Sequence, residues 1–284
     1  MLCAYSVVRL ESRPMTHPLF DLSGRVGLVS GAASGMGKQI SIALAEAGAD
    51  VMLADINLDG AEATAEEIRA LGRKAVPVLC DVSEPDQITA MFERLDEEFG
   101  QIDVLANVAG VGLIGAPEEV PLSNLEQSLN NLVVGRFAAC QQAGRRMLKR
   151  GSGSIINIGS IAGWNSLGRS HTPYGMAMGA VIAMTRELST EWAARGVRVN
   201  CILPAQITNV GLEARMEATP GVRDTFIGGI PMGRMGRPEE IKGVAIFLAS
   251  DAASFVTGAI LPMDGGNLAM NAGGTYPGGP RVAG

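Results

Sequence analysis

Between an apolar run and an amphipathic stretch the chain reads Ser30-Gly31-Ala32-Ala33-Ser34-Gly35-Met36-Gly37, three glycines in eight residues. The chemistry such a turn offers is pyrophosphate binding. Gly31 reaches backbone angles closed to other residues, Gly35 lets the chain approach the phosphates, and Gly37 lets a helix lie close on a strand. The helix that follows presents unpaired N–H groups to anionic oxygens. An isolated turn of this kind is an ordinary glycine-rich loop at roughly even odds, so context decides. Asp55 closes the next apolar run, about 20 residues on, where a carboxylate accepts hydrogen bonds from an adenosine ribose. Asp81-Val82 and Asn107-Val108-Ala109-Gly110 each end a further apolar run, at the carboxyl edge where open α/β sheets bind ligands.

Positioning these residues requires strands that alternate with helices. Short runs, apolar on both sides, predict strands at Arg25–Ser30, Asp50–Asp55, Lys74–Cys80, Val104–Asn107, Ser154–Ile158, Arg198–Leu203 and Ala259–Met263. Helical stretches are expected at Gly35–Ala47, Asp59–Leu71, Glu84–Phe99, Ser123–Arg150, Thr172–Arg195 and Pro238–Ala249. Pro85 and Pro238 stand at helix starts, and Gly48, Gly72 and Gly100 stand where helix C-caps belong. Strand and helix alternating with short connections predict an α/β fold, a doubly wound, parallel seven-stranded sheet of the Rossmann type. No linker divides the chain, so one domain is expected over 19–267, with an N-terminal extension at 1–18 and a Gly/Pro-rich tail at 268–284. Met15 opens Met-Thr-His-Pro-Leu-Phe-Asp-Leu, and residues 1–14 read as an upstream extension of the reading frame.

Composition narrows the classes. Hydrophobic residues are 47% and aromatics only 4% of the chain, with 37 glycines, a small-aliphatic make-up that favours α/β layers over a β-sandwich. A net charge of −6 leaves no basic footprint for nucleic acid or an anionic membrane, so neither partner is expected. No apolar run approaches the ~20 residues of a membrane span. Met1–Arg13 lacks the apolar core and cleavage site of a secretory signal. Cys3, Cys80, Cys140 and Cys201 form no Cys-x-x-Cys pair and have no His at metal-ligand spacing, so reduced thiols, no metal and a cytoplasmic setting are expected.

Taken together, the motifs resemble the short-chain dehydrogenase/reductase family, whose Thr-Gly-x-x-x-Gly-x-Gly, Asp-Val, Asn-Asn-Ala-Gly and Asp-Gly-Gly occur in this order. Here they stand as Ser30–Gly37, Asp81-Val82, Asn107–Gly110 and Asp264-Gly265-Gly266. Arg198-Val199-Asn200 and Arg234–Glu240 extend the match over nearly the whole chain. The resemblance implies a nicotinamide dinucleotide held by the glycine turn (Gly31, Ser34, Gly35, Met36, Gly37) and by Asp55. Asp81, Val82, Asn107, Ala109 and Gly110 would form its floor, with Tyr174, Pro204, Ala205 and Ile207 beside the nicotinamide. Four departures are visible: Ser30 for Thr, Val108 for the second Asn, Ala205 for the Gly of Pro-Gly, and Asn209 where a Thr often contacts the nicotinamide amide. NAD is expected over NADP, because Asp55 would repel a 2′-phosphate and Ser34, a position often basic in NADP-preferring relatives, is uncharged. Lys38 is the counter-argument.

In that family the chemistry rests on Asn, Ser, Tyr and a Lys four residues after the Tyr. Ser160 would bind the substrate oxygen. Tyr174 would act as general acid in reduction and general base in oxidation; it follows Ser160 by one residue more than usual, which points to an insertion within Trp164–Thr172. The Lys position holds Met178, and no Lys occurs between Lys149 and Lys242. Aligning Gly135-Arg136-Phe137 with the family's Gly-x-Phe puts Leu132 at the Asn position, with Asn131 one residue early; a local helix bulge is the alternative that would turn Asn131 inward. His171 and Arg169 are candidate substitute cations. The expected function is an NAD-dependent alcohol dehydrogenase or ketoreductase with an atypical centre. A redox-neutral dehydratase, aldol or isomerase activity on the same fold, and a non-catalytic NAD-binding subunit or sensor, are the alternatives. With Met178 at the Lys position the rate should be low, and Met178→Lys should raise it. Gln206–Met235 should form a lid over a fairly apolar small-molecule substrate. A homotetramer is expected, because the two long helices resemble those that pair across subunits in the family and carry Ala138, Ala139, Ala143, Gly179, Ala180 and Ala183.

Overall fold

The computed structural model describes residues 17–218 and 221–270. The expectations for 1–16 and 271–284, which include the upstream extension and nearly all of the tail, lie outside the described residues.

Seven parallel strands form one sheet in the order β3-β2-β1-β4-β5-β6-β7. They are β1 (Val26–Ser30), β2 (Asp50–Asp55), β3 (Ala75–Leu79), β4 (Val104–Asn107), β5 (Gly153–Ile158), β6 (Val197–Pro204) and β7 (Ile260–Met263). Successive strand residues point to opposite faces, and both faces are covered. Val29, Val51, Leu53, Val104 and Ile156 meet α1 (Gly35–Glu46), α2 (Leu58–Ala70) and α9 (Ile241–Ala249) on one side. Their neighbours Leu28, Met52, Leu105 and Ile155 meet α3 (Pro85–Phe99), α5 (Gly135–Arg150) and α6 (Thr172–Trp192) on the other. Each strand is apolar on both sides for that reason. Burying one large side chain such as Phe92, fully enclosed on the second face, is worth about 1.5–3 kcal/mol relative to exposure.

Strand and helix bounds match the sequence expectations to within one or two residues, with four differences, the first being that the helix expected over Thr172–Arg195 ends at Trp192 and Ala193–Arg195 is a 3-10 turn. The stretch expected as one helix, Ser123–Arg150, is α4 (Leu122–Leu129), a π-helical turn at Asn130–Val134, and then α5. A π turn accommodates one extra residue without ending the helix. Here it seats α5 so close to the end of β3 that a Cβ on Gly135 would lie 1.8 Å from the Val82 carbonyl oxygen. Pro238–Glu240 is a 3-10 turn ahead of α9, not helix throughout. The segment after β6 contains two helices that apolar periodicity does not reveal, α7 (Val210–Ala218) and α8 (Val222–Ile227). Among the described residues no helix is long and apolar enough to cross a membrane.

Candidate active site

The sheet order reverses direction between β1 and β4, and the crevice opens at the carboxyl ends of these strands. Its dinucleotide side is made of backbone. Gly31 has φ +72°, and its N–H donates to the Ala54 carbonyl at 2.8 Å, hanging the turn on the end of β2. A Cβ on Gly37 would lie 2.0 Å from the Gly31 carbonyl oxygen, so α1 can start this close to its own turn only with glycine there. Ser30 Oγ accepts from the N–H groups of Val108 (3.1 Å) and Ala109 (3.2 Å), pinning the β1 turn to the β4 turn. A hydroxyl is all that position needs, which accounts for Ser in place of Thr.

Asp55 Oδ2 accepts from Ala33 N at 2.9 Å and Oδ1 from Asn57 N at 2.9 Å. The carboxylate, half-buried, braces the glycine turn and retains lone pairs for a further donor. Ser34 is exposed at the start of α1, and Lys38 Nζ lies 2.7 Å from Glu67 Oε1 in an ion pair. Asp81 Oδ1 accepts from Ser83 N and Oγ at 2.8 and 2.7 Å. Asn107 points into the core, where Nδ2 donates to Asn157 Oδ1 at 3.0 Å and to Cys140 Sγ at 3.3 Å. It is a brace between β4, β5 and α5. Gly35 leaves open space around the position of a Cβ. An open cradle at a helix N-terminus, with a carboxylate at the end of the next strand, fits a dinucleotide. Gly31, Gly35, Gly37 and Asp55 would hold it, and bound there it would supply hydride transfer at its nicotinamide.

The reaction side is made of side chains. A cavity of about 340 Å³ is lined by Gly35, Met36 and Gly110 from the dinucleotide side and by Leu132, Ser160, Tyr174 and Met178 opposite, with Pro204, Ala205 and Ile207 along one wall. Ser160 stands two residues beyond β5 and caps a 3-10 turn, Ile161–Gly163, and its Oγ accepts from Ala162 N at 3.2 Å. Its hydroxyl hydrogen is left to bind an oxygen in the cavity. Tyr174 lies in the first turn of α6, and its ring packs so closely on Gly112 that a Cβ there would be 2.2 Å from Cδ2. Met178 follows one helical turn later, almost fully buried, as is Leu132. Asn131 sits in the π turn, yet its Nδ2 donates back to the Gln127 carbonyl at 3.2 Å. The bulge is present and places Leu132 at the cavity.

Sequence reasoning missed Arg136. It lines the same cavity, is 4% exposed, and comes from the first turn of α5. Nη1 donates to the Ile158 carbonyl, and Nη2 donates to the carbonyls of Val108 (3.3 Å) and Ala109 (3.2 Å). Nε is buried without a partner. The clue was available: Arg136 shares a helical face with Ala139, Cys140 and Ala143, all buried. Burial pushes the thiols up, Cys140 to about 12 and Cys201 to about 11, so both stay protonated at neutral pH. The two cations expected to substitute lie elsewhere. Arg169 is 5.0 Å over the Phe226 ring, and His171 Nδ1 donates to the Arg169 carbonyl at 2.6 Å, its ring edge-on to Tyr174. Both line a neighbouring cavity of about 630 Å³. The loop between Trp164 and Thr172, where an inserted residue was expected, carries positive φ at Arg169 (55°) and Ser170 (60°).

The segment expected as a lid, Gln206–Met235, is tied at its base, where the backbone of Ile207 bridges Gly236. Asn209 Oδ1 accepts from Leu212 N at 2.9 Å, so this Asn caps α7. Arg234 and Glu240 close the segment with paired hydrogen bonds at 2.8 and 2.7 Å.

A doubly wound sheet with a dinucleotide cradle at its switch point and a Ser/Tyr pair across the cavity defines a class, the nicotinamide-dependent oxidoreductases of this fold. The family profile described as Enoyl-(Acyl carrier protein) reductase matches residues 31–267. The chain is 40% identical over 248 residues to D-threitol dehydrogenase of Mycolicibacterium smegmatis, covering 87% of this chain and 94% of that protein. It is 37% identical over 250 residues to galactitol 2-dehydrogenase (L-tagatose-forming) of Cereibacter sphaeroides, covering 87% and 96%. The crystal structure of a short-chain type dehydrogenase/reductase from Mycobacterium marinum has a TM-score of 0.83 at 36% identity, covering 88% of this chain and 97% of that one. The chain belongs to the short-chain dehydrogenase/reductase family and is an oxidoreductase of the alcohol dehydrogenase or ketoreductase type.

Proposed function

We propose that the protein interconverts a small-molecule alcohol and its ketone with NAD, through a centre in which Met178 and Leu132 stand where relatives place Lys and Asn. The observation that carries this reading is that Ser160 and Tyr174 share one cavity with Gly35, Met36 and Ile207. Oxidation removes a hydride from carbon and a proton from oxygen. Ser160 holds the oxygen by a hydrogen bond, Tyr174 accepts the proton, and reduction reverses both roles. Met178 offers neither charge nor donor, so the usual partner of the tyrosine and of the cofactor ribose is absent from that position.

NAD is favoured over NADP by Asp55 at the end of β2 and by the uncharged Ser34. The ion pair of Lys38 with Glu67 weakens the one argument for NADP. Assembly as a homotetramer is favoured by apolar residues exposed along α5 and α6 and on the π turn, among them Val134, Phe137 and Met176. The small residues support it less evenly. Ala139 and Ala143 are buried inside the subunit, whereas Ala183 is exposed. Light scattering at micromolar concentration checks the mass, and a monomer would contradict the assembly.

The test of the activity is a screen of NADH oxidation and NAD reduction over polyols, cyclic alcohols and their ketones. Turnover that disappears in Tyr174→Phe supports the reading. Tight NADH binding without turnover on any member favours a binding subunit instead.

A further inference from the structure

We propose that Arg136 is the buried cation of this reaction centre, a positioning residue that favours ionisation of Tyr174 from α5 while the α6 position four residues after the tyrosine is left apolar. The inference deepens the oxidoreductase reading and rests on it for its kinetic consequences.

A guanidinium that is 4% exposed carries a heavy desolvation cost unless something offsets its charge. Among the described residues no carboxylate forms an ion pair with it. Its acceptors are three carbonyls at the ends of β4 and β5, which leave Nε buried without a partner. Three carbonyls fix its place but do not cancel its charge. The same side chain lines the cavity together with Ser160 and Tyr174, so an anion formed on the tyrosine oxygen is what this arrangement would stabilise.

The neighbouring titratable groups leave that role open to Arg136. Cys140 on α5 and Cys201 on β6 are protonated at neutral pH, pushed up by burial. His171, at the start of α6, meets the Tyr174 ring edge-on with centroids 6.2 Å apart, and Arg169 stacks on Phe226. The loop at Gly110–Leu113, the π turn and the wall at 204–209 bring no charged side chain to the cavity. Burial depresses the Arg136 pKa, and the nearby phenol of Tyr174 raises it again more than either thiol does. Arginine nevertheless remains protonated in proteins.

Met178 then has a physical reason. An ammonium at 178 would share a buried space with a guanidinium, and like charges at close range oppose each other. Read without Arg136, Met178→Lys should raise the rate. With Arg136 in place, the added cation meets repulsion, and gain is expected only when Arg136 is neutral.

The test compares wild type, Arg136→Gln, Arg136→Lys, Met178→Lys and the double Arg136→Gln/Met178→Lys. Gln retains an N–H donor for the carbonyls but removes the charge; Lys retains the charge. Ultraviolet difference titration against Tyr174→Phe isolates this phenol from the other two tyrosines and needs neither substrate nor cofactor. In Arg136→Gln the phenolate absorbance should move to higher pH, and in Arg136→Lys it should return toward wild type. With an active substrate, Arg136→Gln should lower kcat at neutral pH by about 10²-fold and move the rise of the oxidation rate to higher pH, with NADH affinity within a few fold of wild type. Met178→Lys alone should not increase kcat, and the double variant should exceed Arg136→Gln by at least about tenfold. An unmoved titration in folded Arg136→Gln, or a gain of tenfold or more in Met178→Lys alone, overturns the proposal. Should Arg136→Gln fail to fold, the Met178→Lys result decides. If the titration shifts but no substrate turns over, the oxidoreductase reading falls while the pairing of Arg136 with Tyr174 stands.

Discussion

The two sides of the crevice are built by different means. On the dinucleotide side the contacts come from main chain, at the Gly31–Gly37 turn and the N-terminus of α1, and one carboxylate, Asp55, braces the turn from below. On the reaction side they come from side chains on β5, α5, α6 and the π turn. A backbone-built site admits few residue types, because the peptide must pass where a Cβ cannot. A side-chain-built site can move a charge from one helix to another, provided the cavity receives it from somewhere. On the reading proposed above, the motif is therefore nearly complete on the first side and departs from the family's at Leu132 and Met178 on the second.

The sharpest way to break this contrast is Gly37→Val. With a Cβ forced to within 2.0 Å of the Gly31 carbonyl oxygen, the turn must shift, and overpacking of this kind costs about 1–3 kcal/mol even where neighbours can yield. NADH binding should be lost together with several degrees of Tm, measured by fluorescence titration and thermal melting. Retained binding would mean that the turn is not the cradle.

Tyr174→Phe should leave NADH affinity within a few fold and reduce turnover by about 10²–10⁴-fold, a loss of rate rather than of binding. Equal damage to both would merge the two sides that the geometry separates.

Next in size is Asp55→Ser. NADH should bind about tenfold more weakly, since a charge-assisted hydrogen bond is worth about 1.5–3 kcal/mol, and NADPH should lose much less. Glu67→Gln in that background frees Lys38 from its ion pair and should move preference further toward NADPH. Equal or tighter NADPH binding by the wild type would remove the assignment.

The smallest effect is expected at the lid. The Arg234 guanidinium, by hydrogen bonding, and the Arg237 N–H hold the Glu240 carboxyl at about 2, below its ordinary 4.5. A carboxyl lowered in the folded state stabilises it fully above 4.5, and that contribution is lost as pH falls toward about 2. Glu240→Gln should therefore increase proteolytic nicking of 206–236 modestly at pH 7 and have no further effect near pH 2. Nicking unchanged at pH 7 would show that the lid is held by other contacts.

Much was determined by the sequence alone. The alternation of apolar runs and helical stretches specified a doubly wound parallel sheet, because strands buried on both faces must be apolar throughout. The glycine turn and Asp55 were legible because they answer to local backbone geometry, and Ser160 and Tyr174 because their neighbours in sequence are also their neighbours in space. Only the tertiary structure decided the rest. It turned Asn107 into a core brace, since its partners Cys140 and Asn157 are 33 and 50 residues away. It broke the long helix at Asn130–Val134 to bring α5 against Val82, and after β6 it formed two short helices whose apolar residues carry no clear period. It also carried Arg136 to carbonyls 22 to 28 residues distant, beside a tyrosine on another helix. A charge buried by long-range packing leaves only a faint mark on the sequence, one Arg on an otherwise apolar face, because desolvation and the partners that offset it are properties of the folded interior.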